Sequence, residues 1–145
     1  MTQNKLIKFN KEARDKLFSG VKLLSDAVVK TLGPHGANVA IERTWGTPIV
    51  IHDGVTVAKE VASNDPYENV GIQLVRESAN KTNTEVGDGT TTATLLAYEL
   101  IKGGLKLIDD GMNPMVLRSE IYKVLPLLKE KIAKIAKPIK RGRTL

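Results

Sequence analysis

Apolar side chains recur at three- and four-residue spacing in several stretches of the chain, and this spacing is typical of helices packed on one side. The first stretch begins near Asn10, a residue that can cap a helix. It ends by Leu32, because Gly33 and Pro34 do not continue a helix. The pattern therefore predicts a first helix. Its apolar stripe consists of Ala13, Leu17, Val21, Leu24 and Val28.

Two short runs of β-type residues follow this helix. They cover residues 38–42 and 47–51, and the four residues 43–46 join them. Two such runs separated by a short polar loop predict a β-hairpin. The pair Asp53-Gly54 comes directly after the second run and predicts a turn.

Three further helices are predicted. The second begins at Asp65-Pro66, since Asp caps helices and Pro suits the first helical position. The third covers about 90–109, and the fourth follows it with Pro126 inside, which removes one backbone hydrogen bond and predicts a kink. The inner face of the second helix is predicted to be Tyr67, Val70, Leu74, Ser78 and Thr82. That of the fourth is predicted to be Leu117, Ile121, Val124, Leu125, Leu128, Ile132 and Ile135.

These elements predict a mainly α fold, with four helices around a small β-hairpin. The length of 145 residues fits one ordinary domain, and 41% hydrophobic with 26% charged residues is typical of globular proteins. No apolar run is long enough for a transmembrane helix, and the polar N-terminus does not resemble a secretion signal. The lack of cysteine excludes disulfides and thiol chemistry, and it favours a cytoplasmic location.

The net charge of +6 comes from the end of the chain. Residues 1–128 hold 15 Lys or Arg and 15 Asp or Glu, whereas residues 129–145 hold seven Lys or Arg and one Glu. The body is therefore not a basic platform for nucleic acid. Only the tail could bind phosphates of a nucleic acid, and the alternative is a solvated helix end.

The strongest chemical signal is the segment 87–92, Gly-Asp-Gly-Thr-Thr-Thr. Its glycines allow a tight turn, and its threonines begin a predicted helix, where free N–H groups and the helix dipole favour phosphate oxygens. Asp88 would repel a phosphate unless a cation lay between them, and Mg²⁺ bridges carboxylates to phosphates. Asp88 is therefore interpreted as a metal ligand. The alternative is an ordinary loop in which Asp88 caps the helix.

Two more segments place glycines beside polar residues. The segment 31–36 reads Thr-Leu-Gly-Pro-His-Gly, and the second segment is His52-Asp53-Gly54. Glycines let a backbone approach a ligand closely, and Asp53 could position a water or a cation. Taken singly, each segment is better explained as an ordinary helix end or turn than as a binding site.

In this order the three segments resemble the nucleotide-binding elements of the group I chaperonins, the GroEL family. The matching stretches are TLGPHGANVAIE, IHDGVTVAKE, GDGTTTATLLA and the turn GMNPMVL. The resemblance runs from about Lys8 to about Pro138. It implies the N-terminal half of the family's equatorial domain over 1–138 and a basic tail unlike the family over 139–145. The family's intermediate and apical domains have no counterpart in these residues.

The resemblance implies a role for each matching residue. Asp88 would hold Mg²⁺, and Asp53 would assist catalysis by ordering the attacking water or a monovalent cation such as K⁺. His52 replaces the lysine that the family usually places there, so the lysine charge facing the nucleotide would be missing. The adenosine and α-phosphate side of ATP would meet Thr31, Leu32, Gly33 and Pro34. The other phosphates would meet Gly89, Thr90, Thr91 and Thr92.

For the parent protein the resemblance implies ATP-driven folding of unfolded proteins in a double ring. The partners would be other subunits of a homo-oligomeric ring and a co-chaperonin. The family's main catalytic aspartate has no counterpart here, so this truncated or fragmentary subunit is expected to bind nucleotide weakly without turning it over. The leading alternative is a standalone module that caps or poisons chaperonin rings without ATPase activity. A small phosphotransferase is a third reading, for which no general base beyond Asp53 can be named.

Overall fold

The computed structural model describes residues 10–42 and 46–137. Within these residues the chain forms five helices and a two-stranded sheet. The prediction of a mainly α fold with a small β-hairpin is confirmed. The elements are α1 Asn10–Val29, β1 Val39–Ile41, β2 Ile49–Ile51, α2 Gly54–Glu60, α3 Pro66–Val86, α4 Thr90–Asp109 and α5 Pro114–Ile135.

The hydrophobic core is built mainly between α1 and α3. Leu24 and Val28 of α1 and Ile72 of α3 are almost completely buried. Val57 of α2 and Ile51 of β2 complete the same cluster, so the hairpin and α2 pack onto the two long helices. The predicted stripe of α1 supplies three of its five residues to this buried core.

The backbones of α1 and α3 touch at two glycines. A Cβ atom at Gly20 would lie 1.9 Å from the carbonyl oxygen of Glu68, and one at Gly71 would lie 2.0 Å from that of Leu17. Any side chain at either position would meet backbone atoms of the other helix at distances that real Cβ contacts essentially never show. The lack of a side chain therefore sets how closely the two helices cross.

The predicted inner face of α3 is wrong for its large residues. Val70 and Leu74 are 47% and 57% exposed. This helix carries two apolar stripes, and the prediction chose the one with Val70 and Leu74. The close approach of α1 at Gly71 instead buries the stripe beside that glycine. The buried residues of α3 are Gly71, Ile72, Val75 and Ala79.

The start of α3 is the one that the sequence predicts. Asp65 precedes the helix in extended conformation, and its Oδ1 accepts a hydrogen bond of 2.8 Å from the Tyr67 N–H. Its Oδ2 lies 2.6 Å from Nζ of Lys16. The carboxylate therefore caps α3 and ties it to α1.

The turn predicted at Asp53-Gly54 is instead the start of α2. Asp53 is the N-cap, and its Oδ2 accepts from the N–H and the hydroxyl of Thr56 at 2.9 and 2.8 Å. The helix has seven residues, too few to show a helical period in the sequence. An Asp-Gly pair after a strand suits a turn and a capped helix equally well.

The hairpin is antiparallel, with Val39 opposite Ile51 and Ile41 opposite Ile49. Each strand has three residues and is shorter than predicted. Ile51 is buried while its neighbour Val50 is exposed, so one face of the hairpin rests on the core. Part of the predicted loop, residues 43–45, lies outside the described residues.

The chain divides into two compact units, Met1–Gly103 and Gly104–Leu145. The described residues of the second unit hold the end of α4 and the whole of α5. No residue of α5 is buried, and every member of its predicted inner face except the half-buried Leu117 is exposed. The helix continues through Pro126. The helix ends at Ile135, with Ala136 as its C-cap. None of the helices described has the length and apolar character to span a bilayer.

Candidate functional site

A cavity of about 240 Å³ lies within the unit Met1–Gly103. Its walls come from the turn after α1, the start of α2, the end of α3 and the start of α4. All three segments singled out in the sequence therefore contribute to one cavity. The lining residues are 31–33, Asp53, Val55, Asn83 and 87–92.

Two glycines turn the chain sharply between α3 and α4. Gly87 ends α3 with φ of 77° and donates its N–H to the carbonyl of Asn83 at 2.8 Å. Gly89 has φ of 83°, and its carbonyl accepts the first helical hydrogen bond, from Ala93. Both φ values belong to the left-handed region, which costs glycine little. The N–H groups of residues 90–92 are thereby left without helical acceptors at the positive end of the α4 dipole.

Thr90 provides an observation that is independent of the sequence motif. This residue lines the cavity and is only 5% exposed. Its buried Oγ1 has no hydrogen-bond partner among the described residues. Leaving a buried hydroxyl unpaired costs about 1–3 kcal/mol, so Thr90 leaves an unused hydrogen-bond donor beside the cavity at the α4 N-terminus. One turn further on, Thr94 Oγ1 is also buried but donates to the Thr90 carbonyl at 2.9 Å.

Asp88 lies at the cavity without capping α4. Its Oδ1 accepts the N–H of Gly89 at 2.6 Å, while Gly89 itself precedes the first helical residue. The hydrogen bond of Asp88 is therefore not the one that an ordinary helix cap would make to the first turn of α4. Its carboxylate remains exposed at the cavity, as a metal ligand would need to be.

Asp53 is the second carboxylate at this cavity. Desolvation by burial acts to raise the pKa of Asp53, but hydrogen bonds from Thr56 and Val55 and the charge of Lys59 outweigh it and hold that pKa below its ordinary value. Asp53 is therefore ionised at neutral pH. Because Thr56 occupies Oδ2, the carboxylate is held in a fixed position at the start of α2.

The donor set fits a metal that arrives with a phosphate. Within residues 10–42 and 46–137, no group of three or more His, Cys, Asp and Glu side chains could hold a metal ion. Mg²⁺ at phosphate sites is usually held by one or two carboxylates together with the substrate's phosphates and water. Asp53 and Asp88 supply that number of carboxylates beside the free N–H groups of α4.

The turn after α1 forms another part of the cavity lining. Thr31 is fixed there, since its Oγ1 donates to the Val28 carbonyl at 2.8 Å. Gly33 has φ of 77° and reverses the chain. Leu32 is the one large apolar side chain of this turn, and it is 44% exposed. This wall therefore combines backbone groups with one accessible apolar side chain.

Two residues that were predicted to bind the nucleotide do not line the cavity, and two lining residues were not predicted. Pro34 and His52 are not among the lining residues described, and His52 Nδ1 lies 3.1 Å from Oδ1 of Asn38. Their role in binding stays a prediction. Val55 and Asn83 line the cavity without having been predicted. Asn83 stands one helical turn before Gly87, so the period of α3 was the signal that could have found it.

Comparison with known proteins agrees with this fold. A model of the TCP-1/cpn60 chaperonin family matches residues 24–144. The chain therefore belongs to the TCP-1/cpn60 chaperonin family. The narrower assignment to group I stays a prediction.

A solved structure described as a group III chaperonin in the open state is similar to this chain. The two are 28% identical with a TM-score of 0.78, and the match covers 90% of this chain and 26% of the other. The chain thus spans about a quarter of the length of that relative. The match supports a chaperonin equatorial-domain fold for the described residues.

Proposed function

We propose that this chain binds the phosphates of ATP or ADP with Mg²⁺, as the phosphate-binding part of a chaperonin subunit. The observation that carries the proposal is the buried, unpartnered hydroxyl of Thr90 at the α4 N-terminus. A phosphate oxygen there would accept from this hydroxyl and from the free N–H groups of residues 90–92. The carboxylates of Asp88 and Asp53 make the same cavity suitable for a cation.

Each group of the chain has a separate task in this proposal. The α4 N-terminus binds phosphate oxygens, and Thr91 and Thr92 add hydroxyls. Asp88, and through water Asp53, would hold Mg²⁺, which neutralises phosphate charge when it is bound. Asp53 would also order a water or K⁺. Its ionised state favours both tasks at neutral pH.

The size of the cavity favours the phosphate end of a nucleotide. Its volume of about 240 Å³ lies below the ~300–1,000 Å³ of sites that enclose a drug-sized ligand. We therefore expect Mg·ATP and Mg·ADP to bind, and adenosine without phosphates not to bind measurably. Leu32 offers apolar contact to the sugar and base side.

For the whole protein we propose a role in ATP-driven folding of other proteins within an oligomeric ring of chaperonin subunits. Family membership supports this proposal. The motifs of this chain resemble group I chaperonins, whereas the similar solved structure is described as a group III chaperonin. Dependence on a separate co-chaperonin therefore follows only from the group I assignment. This chain by itself is proposed to bind nucleotide without hydrolysing it at a family-like rate.

One observation favours the second candidate, a module that binds chaperonin rings. No residue of α5 is buried, and the helix presents apolar residues such as Ile121, Leu128 and Ile132 to solvent. Exposed apolar patches mark interaction surfaces. If this candidate is correct, the chain will co-sediment with assembled chaperonin rings and lower their ATPase activity, and Ile121→Ser with Leu128→Ser will abolish both effects.

Calorimetric titration with Mg·ADP tests the first proposal. Asp88→Asn should weaken binding at least about tenfold, because it removes a metal-ligand charge. Glu85→Gln is the matched control, since it removes one negative charge from an exposed residue near the end of α3 that is not among the lining residues of the cavity. Equal affinities of all three proteins, or no heat of binding from the wild type, would contradict the proposal.

A further inference from the structure

Gly54 lies at a point where side chains from two other elements converge. A Cβ atom at this position would be 2.3 Å from Oγ1 of Thr91 and 3.1 Å from Oγ1 of Thr31. Thr91 belongs to the first turn of α4, and Thr31 follows α1, while Gly54 begins α2. The space that a side chain at 54 would take is thus filled by two hydroxyls of the cavity wall.

We propose that Gly54 is a positioning residue for the phosphate site. By lacking a side chain it lets the hydroxyls of Thr31 and Thr91 stand side by side at the cavity, and so it fixes where Thr91 can donate to a phosphate. The inference about binding rests on the proposed function. The inference about position rests on the distances alone.

Backbone conformation does not explain a glycine at this position. Gly54 is the first residue of a helix and is not among the glycines with positive φ. Alanine is favoured over glycine in helices by up to about 1 kcal/mol. With open space around it, position 54 would therefore accept alanine with no loss.

Thr91 is the residue that an added methyl group would displace. Cβ contacts below 3.0 Å are essentially never found in proteins, so the 2.3 Å approach requires a movement. The atom in the way is a side-chain oxygen, whose rotation relieves the clash without unfolding. Thr31 is less free to move, because its hydroxyl donates to the Val28 carbonyl.

The experiment compares Gly54→Ala with Gly103→Ala in the full chain. Gly103 is a helical glycine of α4 whose Cβ would meet nothing within 4 Å, so it reports the helix-propensity effect alone. The first readout is the methyl NMR signals of Thr31 and Thr91 without ligand, and the second is titration with Mg·ADP. We expect Gly54→Ala to shift both methyl signals and to weaken binding about tenfold or more. Gly103→Ala should change neither.

A rescue variant separates positioning from a general structural effect. In Thr91→Ala the clashing hydroxyl is gone, so adding Gly54→Ala should cause no further loss of affinity. If Gly54→Ala alone loses its helical circular dichroism, the double variant should regain it. A further loss in the double variant, or a double variant that also fails to fold, would overturn the proposal.

The two readouts distinguish this inference from the proposed function. A wild type that binds no Mg·ADP contradicts the proposed function. The methyl signals of Thr31 and Thr91 then test the positioning role of Gly54 without any nucleotide. Shifted Thr31 and Thr91 signals in Gly54→Ala support the inference. Unchanged signals overturn it, whatever the nucleotide result.

Discussion

At the residue scale, the hydroxyl of Thr90 lowers the stability of the free protein and, in our proposal, donates to a bound phosphate. Its buried hydroxyl has no partner among the described residues. Replacing it with the isosteric valine removes an unpaired polar group, so Thr90→Val should raise the free energy of unfolding by about 1 kcal/mol or more. The same change should weaken Mg·ADP binding, because it removes a donor to phosphate. Urea denaturation and calorimetric titration measure the two effects.

Thr94→Val is the matched control for Thr90→Val. Thr94 is buried one turn further along α4, but its hydroxyl donates to a carbonyl. Its replacement should therefore not stabilise the protein and should leave Mg·ADP affinity unchanged. A Thr90→Val protein that is less stable than wild type would show that Oγ1 is satisfied, and would remove the main support for the site.

The ion pair between Lys16 and Asp65 predicts a dependence of stability on pH. The hydrogen bond from Lys16, with one from the Tyr67 N–H, holds the pKa of Asp65 below its ordinary value. An unfolded aspartate has a pKa of about 3.9, so the folded state binds fewer protons near that pH. The ionised carboxylate thus stabilises the fold above about pH 4, and this contribution is lost as pH falls through the lower folded pKa.

Asp65→Asn isolates the charge, because asparagine caps helices about as well as aspartate. The variant should have a lower Tm than wild type at pH 6, and the difference should shrink as the pH falls below about 4. Asp15→Asn, which removes an exposed charge of α1, should show no such convergence. A Tm difference that is constant from pH 6 to pH 2.5 would contradict the assignment.

Residue-level prediction from the sequence worked where the chemistry was local. The segment 87–92 and the turn 31–33 could be found because glycine and threonine have clear conformational and chemical preferences. Val55 could not be found this way, since only the packing of α2 brings it to the cavity, whereas the helical period of α3 could have indicated Asn83, one turn before Gly87. The need for a glycine at position 54 could not be predicted from the sequence either, because its neighbours come from two distant segments of the chain.

At the element scale, the crossing of α1 and α3 depends on two glycines. Gly71→Ala would place a Cβ atom 2.0 Å from a backbone oxygen, so the helices must separate and the core around Ile72 must loosen. We expect a loss of more than about 2 kcal/mol in the free energy of unfolding, in the range of severe core changes. Urea denaturation measures it.

Gly103→Ala serves as the control for this change in a helix. Its Cβ would meet nothing within 4 Å, so alanine should stabilise α4 by up to about 1 kcal/mol. Opposite signs for the two substitutions would support the close crossing. A neutral Gly71→Ala would show that α1 and α3 lie further apart than described.

The elements that the sequence predicted well have strong end signals and several turns of helical period. α3 begins with an Asp-Pro cap and α4 begins after Gly89, both as predicted. α2 was missed because seven residues give too little period. The buried face of α3 was missed because a glycine contact, which leaves no hydrophobic signal, decides which stripe is covered.

At the scale of the whole molecule, the exposed face of α5 predicts self-association. A contiguous apolar surface favours association of copies in solution. Ile121→Ser and Leu128→Ser should each reduce association and change the free energy of unfolding by less than about 0.5 kcal/mol, as exposed substitutions do. Ile72→Ala in the buried core should instead cost about 2–5 kcal/mol. Sedimentation velocity and urea denaturation measure the two effects.

The opposite pattern would contradict this account of α5. A wild type that is monomeric at all concentrations, with Ile121→Ser as destabilising as Ile72→Ala, would mean that the face of α5 is covered within the chain. The sequence predicted this helix and its apolar stripe correctly. Periodicity alone could not show that the stripe is exposed, because a stripe that packs within the chain and one that faces solvent have the same spacing.

The most direct test of the phosphate site is an NMR titration of the threonine methyl groups with Mg·ADP. The signals of Thr90, Thr91 and Thr92 should shift together with a common dissociation constant, while those of Thr47 and Thr84, outside the cavity, should stay in place. Adenosine with Mg²⁺ should cause none of these shifts. Saturation with Mg·ADP that leaves the signals of residues 90–92 unmoved would contradict the account.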